Sequence, residues 1–460
     1  MKDDDAVVVI DTRGCDDHDD DDNCLNQLEH RQINQNELDG YVYRGEGNAN
    51  LVISLPSTRS VLRFRKLTLD YDDENHNDNY KKKINFEMKF YNKFIKKHMN
   101  GFSSVGELIY CPTNIIDDWN IKVEGLRPEQ RKNKYIYENI AMKLPDYSLL
   151  PEYLDDNLTR KSNYCIEIKP KQGFVPEGDR FIEKCPYCLT QFYKLAVEKI
   201  KETSKYCPCD LFSGDEKRMK KAIFNLVDSP QNNLILFKDG TRIWGDGYHR
   251  DELKRLLTEC FSSDDKVEDK LCNLIIKALL RPLSKPSIFL NNNNSLKKYH
   301  NNLFEYYNIN LTKFNNFIEN KKCNFQYNYL QEGCVLDKLY KLQKLHDTNL
   351  YEIYNIYQKY SNINNVNLYF DNNVNDDIIR LRNYLLFSTA RDCSILFSFR
   401  KIDLCDLSKY PASNVISSQD QSHHFVFNIG VTDLDPKNLE SIKKHHQQFI
   451  NSINAINIIN

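Results

Sequence analysis

Apolar and polar positions recur along this chain with two different periods. From Gly40 to about Lys66 the period is two, and the stretches YVYRGEGNANLVISL and SVLRFRKL, separated by a Ser/Thr turn, predict strand, glycine turn, strand and strand. From about Asn85 to Lys97 the period lengthens, and Phe86, Phe90 and Phe94 stand four apart on one face of a predicted helix that would pack on that sheet. Leu108–Tyr110 and Ile140–Leu144 predict further strands. Pro145 ends the last of these, so Leu144-Pro145-Asp146-Tyr147 reads as the linker to a second lobe. Beyond it the pattern predicts a strand over Cys165–Pro170 and helices over Thr190–Thr203 and Lys217–Leu226. Helices resume at Asp337, strands follow over Asp392–Phe399 and Phe425–Ile429, and a last helix comes after Pro436.

Three stretches lack such a pattern. Residues 1–38 carry an Asp-rich run from Asp16 to Asp22 and then Asn/Gln-rich sequence, too little apolar surface to order itself, which predicts a disordered tail. The Asn-rich stretch at about 289–325 reads as a loop insertion and 453–460 as a flexible end. The expected fold class is therefore α+β and two-lobed. A β-rich N-lobe occupies 39–146 and a larger mixed α/β C-lobe 147–452.

Composition narrows the function. At 460 residues the chain exceeds what one hydrophobic core usually holds, in keeping with two lobes. The formal net charge of -2 supplies no global field for nucleic acid or an anionic membrane, so a polyanion must be held by a local cluster of bases. No long apolar run occurs and the N-terminus is acidic, so a soluble protein of the cytoplasm or nucleus is expected, most simply a monomer. Fourteen irregularly spaced cysteines then read as reduced thiols.

The candidate chemistry lies in short motifs. Gly45-Glu46-Gly47-Asn48-Ala49-Asn50-Leu51-Val52 follows a phosphate-covering GxGxxGxV hairpin except that Asn50 stands at the third glycine, and Arg63 and Lys66 follow on the next strand. An ordinary turn and a basic strand face explain the same residues. Strand alternation would put Glu167, Lys169 and Lys171 on one face with Cys165, a carboxylate followed by two cations at a strand's end. Asp392 opens an apolar strand and Asp433 closes one, as an acid for a hydroxyl proton and an acid for Mg²⁺ would, although turn-forming aspartates look alike. His249-Arg250-Asp251 imitates a protein-kinase loop but has Leu256 where an asparagine is required, and no DFG follows. Cys185, Cys188, Cys207 and Cys209 form a four-thiol set whose CxC spacing departs from a zinc ribbon, so structural zinc is the lesser expectation.

These motifs together resemble the inositol-pentakisphosphate 2-kinase family. GEGNANLV, VLRFRK, EIKPKQGF, YCPCDLFSGD, PQNNL, GCVLDKL, RDCSILFSF and TDLDPK carry the resemblance from Gly45 to about Lys437. It implies a fold distantly similar to protein kinases, ATP and Mg²⁺ as cofactors, and a small-molecule substrate phosphorylated at its 2-hydroxyl. By motif, Gly45, Gly47, Asn48, Asn50, Arg63, Glu167 and Asn233 would face the nucleotide. Lys169, Lys171, Lys194, Asn232 and Lys437 would hold the polyphosphate. Asp392 with Lys169 would serve catalysis, and Asp433 the metal. Arg127 or Arg131 corresponds to an arginine reaching across the cleft. The hinge Leu144–Tyr147 departs from the plant pattern, as do Ser441 and His445, to which no role is carried, and the plant-type His/Cys zinc set has no clear counterpart. A kinase for another inositol phosphate, or a non-catalytic polyphosphate-binding scaffold, remain the alternatives.

Overall fold

In the computed structural model the described residues are 31–68, 76–155, 161–261, 266–283, 303, 307, 322–418 and 420–459. They form a mixed α/β structure built on two sheets. The first contains β1 (Arg31–Gln32), β2 (Val42–Glu46), β3 (Asn50–Leu55), β4 (Ser60–Thr68), β5 (Glu107–Tyr110), β6 (Lys134–Ile136) and β7 (Ile140–Pro145), ordered β1-β5-β7-β4-β3-β2 with β6 on β4. Alternation places Leu51, Ile53 and Leu55 of β3 and Leu62 and Phe64 of β4 in its core. Trp119, on the helix Thr113–Glu124, closes that core edge-on to Phe64 at 5.5 Å.

The second sheet runs β10-β9-β8-β11-β13-β12, with every pair antiparallel. Its strands are β8 (Tyr164–Ile168), β9 (Leu234–Lys238), β10 (Thr241–Trp244), β11 (Ser394–Ile402), β12 (Val415–Ser417) and β13 (His424–Thr432). The helices Pro186–Ala196 and Glu440–Ile459 pack closely on each other beside it, and one apolar core joins these helices, the sheet and the helices from Val335 to Arg391.

Several expectations change. Residues 31–38, expected in the tail, belong to the first sheet: β1 pairs with β5, and Asn34 caps a short helical turn that buries Leu38, with Ile33 buried beside it. These two apolar side chains supply the burial that the composition of the wider stretch hides. The predicted 85–97 helix lies at the end of α1 (His76–Phe90) and continues through a π-helical turn over Tyr91–Ile95, where Lys96 N–H donates to the Tyr91 carbonyl. Tyr80 and Ile84 pack on Ile140 of the first sheet. Phe86, Phe90 and Phe94 instead meet Tyr369 and Phe370. The helix therefore spans from the first sheet to the large core, rather than lying on the first sheet alone.

The predicted Thr190–Thr203 helix is Pro186–Ala196, started by Cys185, whose Sγ accepts from Cys188 N–H, and by Pro186 in the first turn. The expected flexible end at 453 onward continues the last helix to Ile459, anchored by Ile453 and Ala455 in the interior. The Asn-rich insertion falls outside the described residues except for Leu303 and Tyr307, both buried, and 322–325. Residues 1–30 also lie outside them.

Candidate functional site

The two candidate acids meet because antiparallel pairing brings the start of β11 beside the end of β13. Ser394 is opposite Thr432, and Leu396 is opposite both Glu167 of β8 and Gly430 of β13. One edge of the sheet thus collects Asp392, Ser394, Asp433 and Glu167. Ser394 Oγ lies 2.8 Å from Glu167 Oε1 and 3.3 Å from Asp433 Oδ2, so a single hydroxyl sits between two carboxylates. Burial pushes the Glu167 carboxyl up, with Asp433 adding to it against Lys169 and Ser394. One desolvated carboxylate, Glu167, and one exposed carboxylate, Asp433, around one hydroxyl are an oxygen donor set that fits a hard divalent cation such as Mg²⁺.

Asp392 is not part of the strand but caps the helix Asp376–Arg391, one residue before Cys393 and two before β11. Lys437 Nζ stands 3.3 Å from its Oδ2. Burial works against its charge, yet Arg391, Lys437, Lys171 and His445 together hold the carboxyl below its usual range. His445 also receives or donates a 3.0 Å hydrogen bond at Nδ1 with the Tyr384 hydroxyl.

The lysine stretch differs from the alternation expected of it. β8 ends at Ile168, and Lys171 adopts a left-handed φ of 60°, so Glu167, Lys169 and Lys171 do not lie on one strand face. Pro170 cannot continue the ladder, and Gln343, fully buried, takes the turn over: its Nε2 donates to the Lys171 carbonyl at 3.1 Å, and its Oε1 accepts from Gly173 and Phe174 N–H at 2.8 and 3.0 Å. Gly173 is required there because a Cβ would stand 2.1 Å from the Phe212 ring. The Tyr206 hydroxyl donates to the Pro170 carbonyl at 2.7 Å and the Tyr327 hydroxyl to that of Gly173 at 2.8 Å. Burial pushes the Lys171 ammonium down, and Lys169, Arg391 and Lys194 do so further, with Asp392 opposing. An anion arriving here meets cations that repel one another, which favours its binding.

Asn233 is buried and its N–H and carbonyl are both used, the carbonyl accepting from Lys169 N–H at 2.9 Å. Its Nδ2 donates to the Tyr187 hydroxyl at 3.0 Å, while Oδ1 is buried with no hydrogen-bond partner among the described residues. Asn232 is exposed beside it.

From the first sheet, Arg63 reaches this region: Nη1 donates to Asp435 Oδ1 at 2.7 Å and Nη2 to Glu87 Oε2 at 3.4 Å. Burial opposes its charge, but Asp435, Glu87 and Asp433 outweigh that and raise its pKa. The glycine hairpin leads straight to it, since Asn50 pairs with Arg65 and Val52 with Arg63. Between Gly45 and Gly47, Glu46 turns inward onto Lys66 and onto Arg127, whose Nε donates to it at 2.7 Å. Arg127 is thus committed inside the first sheet, so Arg131 is the one of the two still able to reach outward. Arg131 Nη1 donates to Asn48 Oδ1 at the hairpin tip, 3.1 Å away. At the linker, Asp146 is tied to Arg44, Ser54 and Ser148, so its side chain is engaged.

The thiol set is real but its fourth member differs. Cys185, Cys188, Cys207 and Cys323 bring their sulfurs within 4.8 Å of one another. Cys323 replaces Cys209, whose Sγ lies 3.7 Å from the Tyr327 hydroxyl. Spacing could not show this, because Cys323 is 116 positions from Cys207, against a sulfur separation of 3.7 Å. A tetrahedral zinc with Zn–S bonds of about 2.3 Å needs sulfurs about 3.8 Å apart, so the set fits that ion with small adjustments. Hydrogen bonds from Cys185, Cys188, Cys209 and Cys323 hold the Cys207 thiol well below its usual range.

Sequence reasoning missed Ser394, Asp435, Glu87, Arg391 and Gln343. Ser394 was within reach of it, standing two residues from Asp392 at the mouth of the same strand. Glu87 and Gln343 come from distant helices, and nothing local marks them.

A family profile described as inositol-pentakisphosphate 2-kinase matches residues 43–448. Among curated proteins, the inositol-pentakisphosphate 2-kinase of Danio rerio is 33% identical over 225 residues, 46% of either chain. That of Drosophila melanogaster is 26% identical over 342 residues, 53% of this chain and 55% of its own. That of Arabidopsis thaliana is 27% identical over 256 residues, 46% and 55% respectively. The chain spans about half the length of the curated relatives it matches.

Proposed function

The chain belongs to the inositol-pentakisphosphate 2-kinase family, and from that premise we propose that it transfers the γ-phosphoryl group of ATP to the 2-hydroxyl of inositol 1,3,4,5,6-pentakisphosphate, giving the hexakisphosphate and ADP. The observation that carries the reading is Asp392, 3.3 Å from Lys437 and facing Lys171 and Arg391, at the sheet edge that also holds Glu167 and Asp433.

In this reading Lys169, Lys171, Lys194, Asn232 and Lys437 bind the acceptor phosphates, and Arg131 adds to them from the first sheet. Asp392 orients the 2-hydroxyl and takes its proton. A substrate with five phosphates competes for Lys171, Lys437 and Arg391, the cations that depress the Asp392 carboxyl. Binding therefore returns Asp392 toward a stronger base when the hydroxyl is present. Arg63 exchanges part of its pairing with Asp435 and Glu87 for nucleotide phosphates under the hairpin of Gly45, Gly47, Asn48 and Asn50. Glu167 meets the ribose, and the unpartnered Asn233 Oδ1 accepts from the nucleotide. Asp433, with Asp435 and Glu167 near it, would hold Mg²⁺, which supplies charge neutralisation between the β- and γ-phosphates.

The Arg63–Asp435 pair supports a two-lobed, kinase-like arrangement, with the first sheet as N-lobe and the second within the C-lobe. The protein acts as a monomer in cytoplasm or nucleus, on a small molecule, without nucleic acid or membrane. Among the described residues no helix is long and apolar enough to cross a membrane. Zinc at Cys185, Cys188, Cys207 and Cys323 is a structural cofactor in this reading.

The test is transfer from MgATP to the pentakisphosphate, with products resolved by anion exchange, for wild type and Asp392→Ala together. Hexakisphosphate from wild type alone is the expected result. Folded wild type that binds the pentakisphosphate without converting it favours the scaffold reading, and conversion of a different inositol phosphate in preference to this one reassigns the acceptor.

A further inference from the structure

The four thiols and the polyphosphate lysines are connected by two tyrosines that neither site needs for its own chemistry. Tyr187 lies between Cys185 and Cys188, and Tyr206 directly precedes Cys207. Their rings pack edge to face with centroids 5.4 Å apart. Tyr206, fully buried, passes its hydroxyl away from the sulfurs to the Pro170 carbonyl at 2.7 Å, the peptide between Lys169 and Lys171. Tyr187 accepts at its hydroxyl from Asn233 Nδ2 at 3.0 Å, and the Asn233 carbonyl accepts from Lys169 N–H at 2.9 Å. The third thiol-bearing segment reaches the same turn: the chain after Cys323 brings the Tyr327 hydroxyl to the Gly173 carbonyl at 2.8 Å.

Resting on the function proposed above, we propose that the four-thiol centre positions the substrate lysines. Tyr206 is the positioning residue for the acceptor side, at Lys169 and Lys171, and Tyr187 for the nucleotide side, at Asn233.

The physical case is one of preorganisation. Lys171 is held at a positive φ of 60°, a conformation that costs energy in a non-glycine residue and persists only when its surroundings hold it. Lys169, Arg391 and Lys194 each repel the Lys171 ammonium, adding to the burial that already pushes it down. A turn that keeps mutually repelling cations together in the absence of anion needs fixed points outside itself. Gln343 supplies one from the helix Val335–Gln343, and the tyrosine pair supplies the others from segments that come together around the sulfurs. Cross-linking those segments through one divalent ion removes the freedom of Tyr187 and Tyr206 before substrate arrives, so less ordering is left for binding to accomplish.

The experiment is calorimetric binding of inositol 1,3,4,5,6-pentakisphosphate and, separately, of MgATP to the full chain. Both are measured on zinc-loaded wild type, Tyr206→Phe and Tyr187→Phe, and on wild type after stepwise zinc removal. Losing one buried hydrogen bond to the turn should weaken pentakisphosphate binding by Tyr206→Phe about fivefold to tenfold and leave MgATP within about twofold. Tyr187→Phe should show the reverse, and zinc removal from wild type should weaken both ligands. In Tyr206→Phe, removing zinc should add little further loss for the pentakisphosphate, since the relay is already cut.

Equal weakening of both ligands by Tyr206→Phe, or unchanged pentakisphosphate affinity, overturns the proposal. Should Tyr206→Phe not fold, the wild-type zinc series decides, and a pentakisphosphate affinity independent of zinc overturns it. A zinc-loaded wild type that binds no pentakisphosphate at all overturns the proposed function first, and this inference with it. Binding rather than turnover is read, so a protein that binds without catalysis still tests the relay.

Discussion

Asp392 takes its character from the cations Arg391, Lys437 and Lys171 around it rather than from its own position in the chain. With a contribution from His445, they outweigh the burial that would otherwise neutralise it and hold the carboxyl below its usual range. Asp392→Asn keeps the shape and removes the base. It should lower kcat by about 10²–10⁴-fold while pentakisphosphate binding is retained or strengthened, because one negative charge has left the phosphate site. Parallel loss of kcat and binding would count against the role. Lys171 is a matter of charge more than of shape. Lys171→Ala should weaken pentakisphosphate binding by about 2 kcal/mol, roughly thirtyfold, as expected for a charged hydrogen-bonding partner, with MgATP affinity nearly unchanged in the same titrations. Asp179 titrates for a different reason. Burial pushes its carboxyl from 3.8 up to about 7, with Glu352 adding and the Leu350 N–H bond opposing. Its folded pKa lies above the unfolded one, so the folded state binds the extra proton between those values. The contribution to stability is therefore full below about 4 and lost as pH rises to about 7. The melting temperature should fall across that window, and Asp179→Asn should flatten the fall.

At the level of elements, the site depends on where strands stop. β8, β11 and β13 all have an end at one side of the second sheet, and Lys169, Asp392 and Asp433 lie within two residues beyond those ends. The 170–174 turn is fitted to the helical segment behind it with no spare room. A Cβ at Gly173 would meet three atoms of Phe212, a residue with no exposed surface. Gly173→Ala should cost about 1–3 kcal/mol by overpacking, seen as a lowered melting temperature, and should displace Lys171 enough to weaken pentakisphosphate binding. A fully stable variant would show that Phe212 can move aside. α1 acts differently, holding the two halves together: its early turns pack on Ile140 and its later phenylalanines on Tyr369 and Phe370. The π-helical turn at Tyr91–Ile95 lies beyond that change of partner, within the part that packs on Tyr369 and Phe370.

Across the whole molecule, segments far apart in the chain close on two points. One is the ion pair of Arg63 with Asp435, 372 residues apart, which joins the first sheet to the end of β13. The other is the thiol centre, where Cys323 returns to Cys185, Cys188 and Cys207. Metal analysis should find about one zinc per chain. Cys323→Ser should lose it and melt at lower temperature, whereas Cys209→Ser should keep it; the opposite result would restore the set suggested by spacing. The sequence by itself determined the period-two strands around the glycine hairpin, the helix over Lys217–Leu226, and the family, because these rest on neighbours a few residues apart and on short motifs whose order survives in the chain. It also marked Asp392 and Asp433 as acids at strand ends. Only the tertiary structure decided that Lys171 leaves the strand, that Arg127 is spent on Glu46, that α1 serves both cores, that residues 31–38 join the first sheet, and that Cys323 is the fourth thiol. Each of these is settled by a partner at long separation, whose identity depends on how the chain folds back and leaves no local periodicity or spacing to read.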